Sequence, residues 1–267
     1  MAVNTYSDPL RLCQYLMRTA TSRGVKLHIN TRVVSVIADE SDTITAVKLS
    51  TGTILPCTKL LISAGPWTAQ VFHDLFPLSR LNPLPIAPLA GYSFLLRSPR
   101  HGISQERDLY QGRSHAVFAS SSLSYAFSPE IFSRQGGEIY IAGLNDDGMP
   151  LPATADDSAK HLHQGDKDKL RDVAVQLMGK ASPIGSHNVD DLEIFRESIC
   201  FRPVSTRGRP VVSPIKQKDL GGIIKGDVFV ASGHGPWGIS LSLGTGMVVS
   251  EMIRGLKTSV DVGMLAI

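Results

Sequence analysis

Residues 227–246 read Asp-Val-Phe-Val-Ala-Ser-Gly-His-Gly-Pro-Trp-Gly-Ile-Ser-Leu-Ser-Leu-Gly-Thr-Gly, and no other stretch constrains the chain as tightly. The apolar run Val228 to Ala231 predicts a buried strand. Gly233, Gly235 and Gly238 then form a literal G-x-G-x-x-G. A helical pattern follows from about Leu243 to Ile253, with Met247, Val248 and Met252 on its apolar side. A strand, a glycine turn and a helix in immediate succession require a fold in which a strand ends at a helix start.

Strand, turn and helix are also the context of a dinucleotide fingerprint. A true fingerprint opens a βαβ unit whose next strand ends in an acid about 20 residues later. Only residues 239–267 follow, and no apolar strand carries Asp261. Pro236 and Trp237 also crowd a turn meant for close approach of a pyrophosphate. What the pattern retains is backbone N–H groups brought close to a ligand, and a helix N-terminus that favours negative charge. A purely structural turn is the competing reading, since glycine suits positive φ anywhere.

With 267 residues the chain is long enough for one large or two modest domains. Its 27 basic and 24 acidic residues leave a net charge of +3, too balanced for a nucleic-acid surface. The three cysteines, Cys13, Cys57 and Cys200, are widely spaced and form no C-x-x-C. No zinc site, other metal site or disulfide framework is expected, and a reducing, cytoplasmic setting is the simpler expectation. No apolar run is long enough for a membrane span. The N-terminal Met-Ala-Val-Asn-Thr-Tyr does not read as a signal peptide.

Along the chain, Asp8-Pro9 predicts an N-cap and first helical residue. Leu10, Cys13, Leu16, Met17 and Ala20 then recur at helical spacing up to Gly24, an expected C-cap. Strands are predicted at 25–29, 32–38, 44–49 and 53–55, with a polar turn at 39–42 and a hairpin turn at Thr51-Gly52. Lys59 to Gly65 is a near-continuous apolar strand ending in glycine, suited to the centre of a sheet. Pro77, Pro83, Pro85, Pro88 and Pro99 mark a crossing into another region. There, strands are predicted at 91–96, 115–119, 124–127 and 138–142, with a hairpin signal at Gly136-Gly137. A loop is expected at 145–150, one long helix over 157–178, a strand over 193–201 running into Arg202-Pro203, and another over 210–214. The order predicts a mixed α/β (α+β) chain with three segments: 1–77, an inserted antiparallel region over 78–200, and 201–267 returning to the first domain.

Four segments, in order, resemble the D-amino-acid-oxidase-like family of FAD-dependent oxidoreductases, which includes glycine and sarcosine oxidases and fungal members. They are Thr31 to Val36, Leu60-Leu-Ile-Ser-Ala-Gly-Pro-Trp67, Cys200-Phe-Arg-Pro-Val-Ser-Thr-Arg-Gly-Arg-Pro210 and Gly233-His-Gly-Pro-Trp-Gly-Ile-Ser240. The resemblance implies an FAD/NAD(P)-binding Rossmann-like domain with an inserted antiparallel-sheet substrate domain. This chain resembles the C-terminal two-thirds of that arrangement. The family opens with a strand, G-x-G-x-x-G turn, helix and acidic-ended strand, and nothing upstream of Asp8-Pro9 resembles them. Either the chain is a fragment, or it is a shortened relative. If the first half of the nucleotide domain is absent, the apolar strand at 60–64 would lose its neighbouring strands and present an edge needing a partner.

The resemblance also implies roles. Val33 would lie on the strand at the adenine side of FAD. Ala64, Gly65 and Trp67 would return beneath the cofactor, and Gly233, His234, Gly235, Trp237, Gly238 and Ile239 would form the turn against the flavin. Arg202 would clamp a substrate carboxylate bidentately; a structural ion pair is the alternative. Tyr92 and Tyr140, on strands of the inserted region, would line the substrate pocket, though strand tyrosines are common. Trp67 and Trp237 also read simply as large core residues. Glycine oxidases carry a substrate-contacting arginine at the position of Pro236, so a glycine-like substrate is not expected. Some sarcosine oxidases attach flavin through a cysteine near the position of Cys200, but a small buried thiol is the plainer reading. Arg207 and Arg209 read as solvated turn charges, and Asp146-Asp147 as a solvated turn rather than a metal pair. No catalytic side chain is expected, because hydride leaves the substrate carbon directly once the amine is neutral.

The expected function is therefore oxidation of a small amine or amino acid by hydride transfer to FAD, with oxygen as acceptor. The alternative is a cofactor-free relative that binds a partner or a small carboxylate. Substrate identity, chirality and oligomeric state are not legible.

Overall fold

A computed structural model describes residues 9–109, 111, 113–182, 187–221 and 224–267. The chain divides into two compact units, residues 1–87 with 202–267, and residues 88–201. The architecture is mixed α/β.

The first unit begins with α1 (Pro9–Ser22). Asp8, expected as its N-cap, lies outside the described residues. Gly24, at φ +92°, ends the helix, and the Val25 N–H donates back to the Ala20 carbonyl at 3.1 Å. That is the left-handed helix ending glycine permits. The strand expected at 25–29 is not formed. Val25, Leu27 and Ile29 alternate as a strand would, but they are exposed and have no ladder partner among the described residues. Alternation alone does not make a strand when no neighbour takes its backbone hydrogen bonds.

β1 (Val33–Ala38), β2 (Ile44–Leu49) and β3 (Ile54–Pro56) form an antiparallel meander in that order. β4 (Lys59–Ile62) then leads through a 3-10 turn at Gly65–Trp67 into α2 (Thr68–Leu75), a helix the sequence did not announce. From the far end of the chain come β10 (Val211–Ile215), β11 (Asp227–Ser232) and α5 (Gly238–Ile253). The second sheet has the order β10-β11-β4, antiparallel between β10 and β11 and parallel between β11 and β4.

This sheet is covered on both faces. Val211, Val228, Val230 and Ile62 pack with Phe72, Leu75 and Phe76 at and just beyond α2. Val212 and Ala231, on the alternate face, pack with Val248 and Val249 of α5. Strand periodicity of two thus sends one set of side chains to each helix. Phe72 is fully buried, and burial of such a side chain contributes roughly 1.5–3 kcal/mol.

The second unit is built on a five-stranded sheet, order β6-β7-β8-β5-β9. Its strands are β5 (Ile86–Arg97), β6 (Ala116–Phe118), β7 (Glu130–Arg134), β8 (Glu138–Asp146) and β9 (Glu193–Ser205); β5 and β9 run from one unit into the other. The helices are α3 (Ile103–Asp108) and α4 (Gln164–Met178). Tyr92, Phe94, Leu96, Ile139 and Ile141 pack against Leu170 and Ala174 of α4.

Four expectations in this unit need correction. The helix read over 157–178 is two pieces, a 3-10 turn at Ala155–His161 and α4, separated at Leu162 and His163. The break brings His161 and His163 to the Tyr92 hydroxyl, which donates to the His161 carbonyl at 3.1 Å and accepts from the His163 N–H at 3.5 Å. No strand forms at 124–127, where only an isolated bridge joins Ser122 and Tyr125. β8 runs on through Asp146 into the expected loop, paired to Ala90 of β5. Cys200 is exposed rather than buried, its thiol 3.9 Å from the Gly91 carbonyl.

Candidate functional site

The candidate residues of the first unit gather where β4 and β11 end. Parallel pairing sets Ile62 opposite Val230, so both strands finish on the same edge of the sheet. In open α/β sheets the carboxyl edge of parallel strands is where ligands lie. Each strand is followed by the same triplet. Gly65-Pro66-Trp67 and Gly235-Pro236-Trp237 both form 3-10 turns, both glycines sit at φ +55°, and each turn feeds a helix, α2 or α5. The Ser232 hydroxyl donates to the Gly65 carbonyl at 2.9 Å and ties the two turns together.

Neither helix has a side-chain cap or an acid in its first turn. Their first N–H groups therefore keep the partial positive charge of a helix start. A side chain built on Gly65 or Gly235 would meet nothing within 4 Å. The backbone at both turns thus faces open space that a flat ligand can approach closely. Gly233, at φ +84°, is different, since a Cβ there would lie 3.1 Å from the Ser205 Cβ. The backbone of 204–205 is drawn close because Val204 bridges to His234.

A cavity of about 510 Å3 opens beside these turns. Gly65, His234 and Gly238 line it, with Leu61 and Ser63 from the β4 segment and Ser242, Thr245 and Gly246 from α5. His234 is half-buried, and its Nε2 lies 3.0 Å from the Thr245 hydroxyl. Burial pushes its imidazole below its usual range, so the ring is neutral at pH 7. Pro203, next to Arg202, also lines the cavity.

Trp237 is 65% exposed beside its turn, whereas Trp67 and Ala64 are half-buried. Ile239 is exposed on the first turn of α5. Val33 lies on β1, in the other sheet of this unit. Arg202 is half-buried near the end of β9. Arg207, read as a solvated turn charge, donates to the Ala266 carbonyl at 2.7 Å.

Tyr92 and Tyr140 belong to the second unit. Tyr92 is 1% exposed, its hydroxyl committed to the 161–163 backbone, and burial raises that phenol above its usual range. It is a core residue with no surface to offer a ligand. Tyr140 is half-buried between Phe132, ring centroids 6.1 Å apart, and the Arg134 guanidinium, 4.8 Å from its centroid.

Sequence reasoning missed Ser232, Thr245, Pro203 and the small residues of α5. The repeated Gly-Pro-Trp was a visible signal for the paired turns. Thr245 had none, because its partner lies on a turn outside the helix. Among the described residues no cluster of His, Cys, Asp and Glu is arranged to hold a metal ion, and no helix is long and apolar enough to cross a membrane.

Comparison with known proteins gives the arrangement its context. A protein of Schizosaccharomyces pombe named as an oxidoreductase is 30% identical over 234 residues, 85% of this chain and 50% of its own length. A D-amino acid dehydrogenase of Bradyrhizobium diazoefficiens is 24% identical over 261 residues, 95% of this chain and 50% of its own. The chain spans a third to a half of the length of the curated relatives it matches. The crystal structure of glycine oxidase from Geobacillus kaustophilus shares the fold, with a TM-score of 0.67, 21% identity, and coverage of 96% of this chain and 56% of that one. The family model for FAD dependent oxidoreductases, DAO, matches residues 4–252, and the chain belongs to that family.

Proposed function

We propose that this chain forms the flavin-facing and substrate-facing part of an FAD-dependent oxidase acting on an amine or amino acid. The carrying observation is the pair of Gly-Pro-Trp turns at the ends of parallel strands, with open space beside both glycines and two uncapped helix starts. FAD fits such a cradle, because its flat ring needs close backbone approach and its pyrimidine edge gains negative charge on reduction.

Ala64, Gly65 and Trp67 would hold one side of the cofactor. Gly233, His234, Gly235, Trp237, Gly238 and Ile239 would hold the other, and Val33 the adenine side. Residues 1–87 and 202–267 are then the flavin-binding unit, and 88–201 the substrate unit. The flavin supplies acceptance of a hydride from the carbon bearing the amine, with oxygen as final acceptor. The chain supplies position and charge. Neutral His234 offers a hydrogen bond rather than a charge. Arg202 orients the substrate carboxylate. Pro236, in place of a cation, argues for a substrate other than glycine.

Trp67 and Trp237 are the only tryptophans, so intrinsic fluorescence reports on this site. Titration with FAD should quench that fluorescence saturably, and Trp237→Phe should remove a large share of the quenching. No saturable quenching, together with no flavin absorbance eluting with the protein, would leave a cofactor-free binding protein as the better reading. In the flavin-loaded enzyme, Arg202→Ala should raise KM for a carboxylate substrate roughly 30- to 150-fold, equivalent to about 2–3 kcal/mol for a lost charged hydrogen bond. Unchanged kinetics would remove Arg202 from that role.

A further inference from the structure

One side-chain contact in the cavity ties the glycine turn to the helix behind it. His234 stands on the turn, Thr245 stands on α5, and the His234 Nε2 lies 3.0 Å from the Thr245 hydroxyl. Both side chains line the cavity, and both are half-buried. Either atom can donate, so the contact alone leaves the tautomer of the ring open. The other hydroxyls of α5 narrow the choice. Ser240 and Ser242 donate to carbonyls three residues back, Trp237 at 3.0 Å and Ile239 at 2.9 Å, as hydroxyls in a helix commonly do. Thr245 does not. Among the described residues its hydroxyl has no hydrogen-bond partner except the imidazole, and Nδ1 of that ring has none. Were Nε2–H the donor, the hydroxyl proton and the Nδ1 lone pair would both be left over. With the hydroxyl as donor, only Nδ1–H is left over. The second arrangement leaves fewer half-buried polar groups unpaired, and each such group is destabilising.

We propose that Thr245 is a positioning residue: its hydroxyl donates to Nε2 of His234, fixes the neutral ring as the Nδ1–H tautomer, and so presents one N–H donor to a ligand in the cavity. The identity of that ligand rests on the flavin reading of the cavity. Which ring nitrogen keeps its proton is set by the bond the other nitrogen makes. Free in water, the neutral side chain favours Nε2–H, so the tautomer named here is one the protein has to impose. Burial keeps the ring uncharged at pH 7. An uncharged ring cannot donate from both nitrogens, and Thr245 decides between them. The pyrimidine part of a flavin carries carbonyl oxygens as acceptors, and they gain negative charge on reduction. A fixed N–H donor facing such an acceptor holds it more strongly as electrons arrive, whereas a ring presenting its lone pair would oppose them. Thr245 touches no ligand in this scheme and acts only through the ring.

The test labels the histidines with a nitrogen isotope and records long-range proton–nitrogen correlations of the rings, without flavin and above neutral pH. His234→Asn identifies the His234 signals by removing them. The ring should show a protonated Nδ1 and a bare Nε2. Thr245→Val keeps the branched shape and loses the hydroxyl, and in it the pattern should move toward Nε2–H. Titration with FAD, read by tryptophan quenching, should be weaker in Thr245→Val by roughly 3- to 10-fold, the loss of one neutral hydrogen bond. An asparagine amide nitrogen sits where Nδ1 does and a glutamine amide nitrogen where Nε2 does, so His234→Asn should hold FAD more tightly than His234→Gln. The proposal is overturned by an Nε2–H ring in the unaltered protein, by a tautomer that Thr245→Val does not move, by undiminished FAD affinity in that variant, or by His234→Gln binding FAD as tightly as His234→Asn. If the unaltered protein takes up no FAD, the flavin reading fails separately, and the ring spectra alone decide whether Thr245 holds the tautomer.

Discussion

His234 shows how burial sets a property that the letter alone does not. Its ring is held against Thr245 and is harder to protonate than in water. A histidine with a depressed native pKa binds fewer protons folded than unfolded. Its contribution is fully present above about pH 6.5 and is lost as pH falls from there through the depressed native value. The drop in unfolding midpoint between pH 7.5 and 5.5 should therefore shrink in His234→Gln, read by thermal melts of both proteins. The carboxylates act in a separate, lower window. Hydrogen bonds from Arg100 lower the Asp191 pKa and those from Lys160 lower the Asp157 pKa, so their contributions are lost only as pH falls below the ordinary carboxylate range. Phe72 is the apolar counterpart, with no exposed surface and a ring 5.4 Å from that of Phe76. Phe72→Ala should cost about 3–5 kcal/mol in denaturant unfolding.

The turn before α5 shows what an element demands of one position. Gly233 lies at φ +84° with Ser205 packed behind it. Gly233→Ala should lose about 1–2 kcal/mol by denaturant unfolding, since the left-handed conformation alone costs that much, and should also weaken the FAD quenching. Much of this element was legible. The run 228–231 announced its strand, and the glycines announced the turn. The helix starts at Gly238, earlier than the periodicity from Leu243 suggested. Its first turns, Ile239-Ser-Leu-Ser-Leu243, alternate serine with apolar residues and so carry no helical period. α2 was not legible, because eight residues after a proline turn show little pattern and are held by packing. Val25 to Ile29 failed in the opposite way, having the alternation of a strand without a partner. The site was half legible. The sequence named Gly65 and Gly235, but only the pairing of 59–62 with 227–230 puts their turns on one sheet edge.

Across the whole molecule, the apolar side chains exposed on α5 should govern behaviour in solution. A net charge of +3 over 267 residues offers little mutual repulsion. Leu241 and Leu243 stand exposed on α5. Residues 1–267 alone should bind an apolar-surface dye such as ANS and show limited solubility. Leu241→Lys with Leu243→Lys should reduce both the dye emission and the aggregation, with the unfolding temperature nearly unchanged, because these side chains leave no core when replaced. A large fall in that temperature would show instead that they pack inside. The paired Gly-Pro-Trp turns have an electrical consequence as well. Two helix starts on neighbouring strands raise the potential at a single place. A flavin held there, as proposed, would be easier to reduce than in water, and that part of its midpoint potential would be written in the backbone, where no side-chain replacement can erase it.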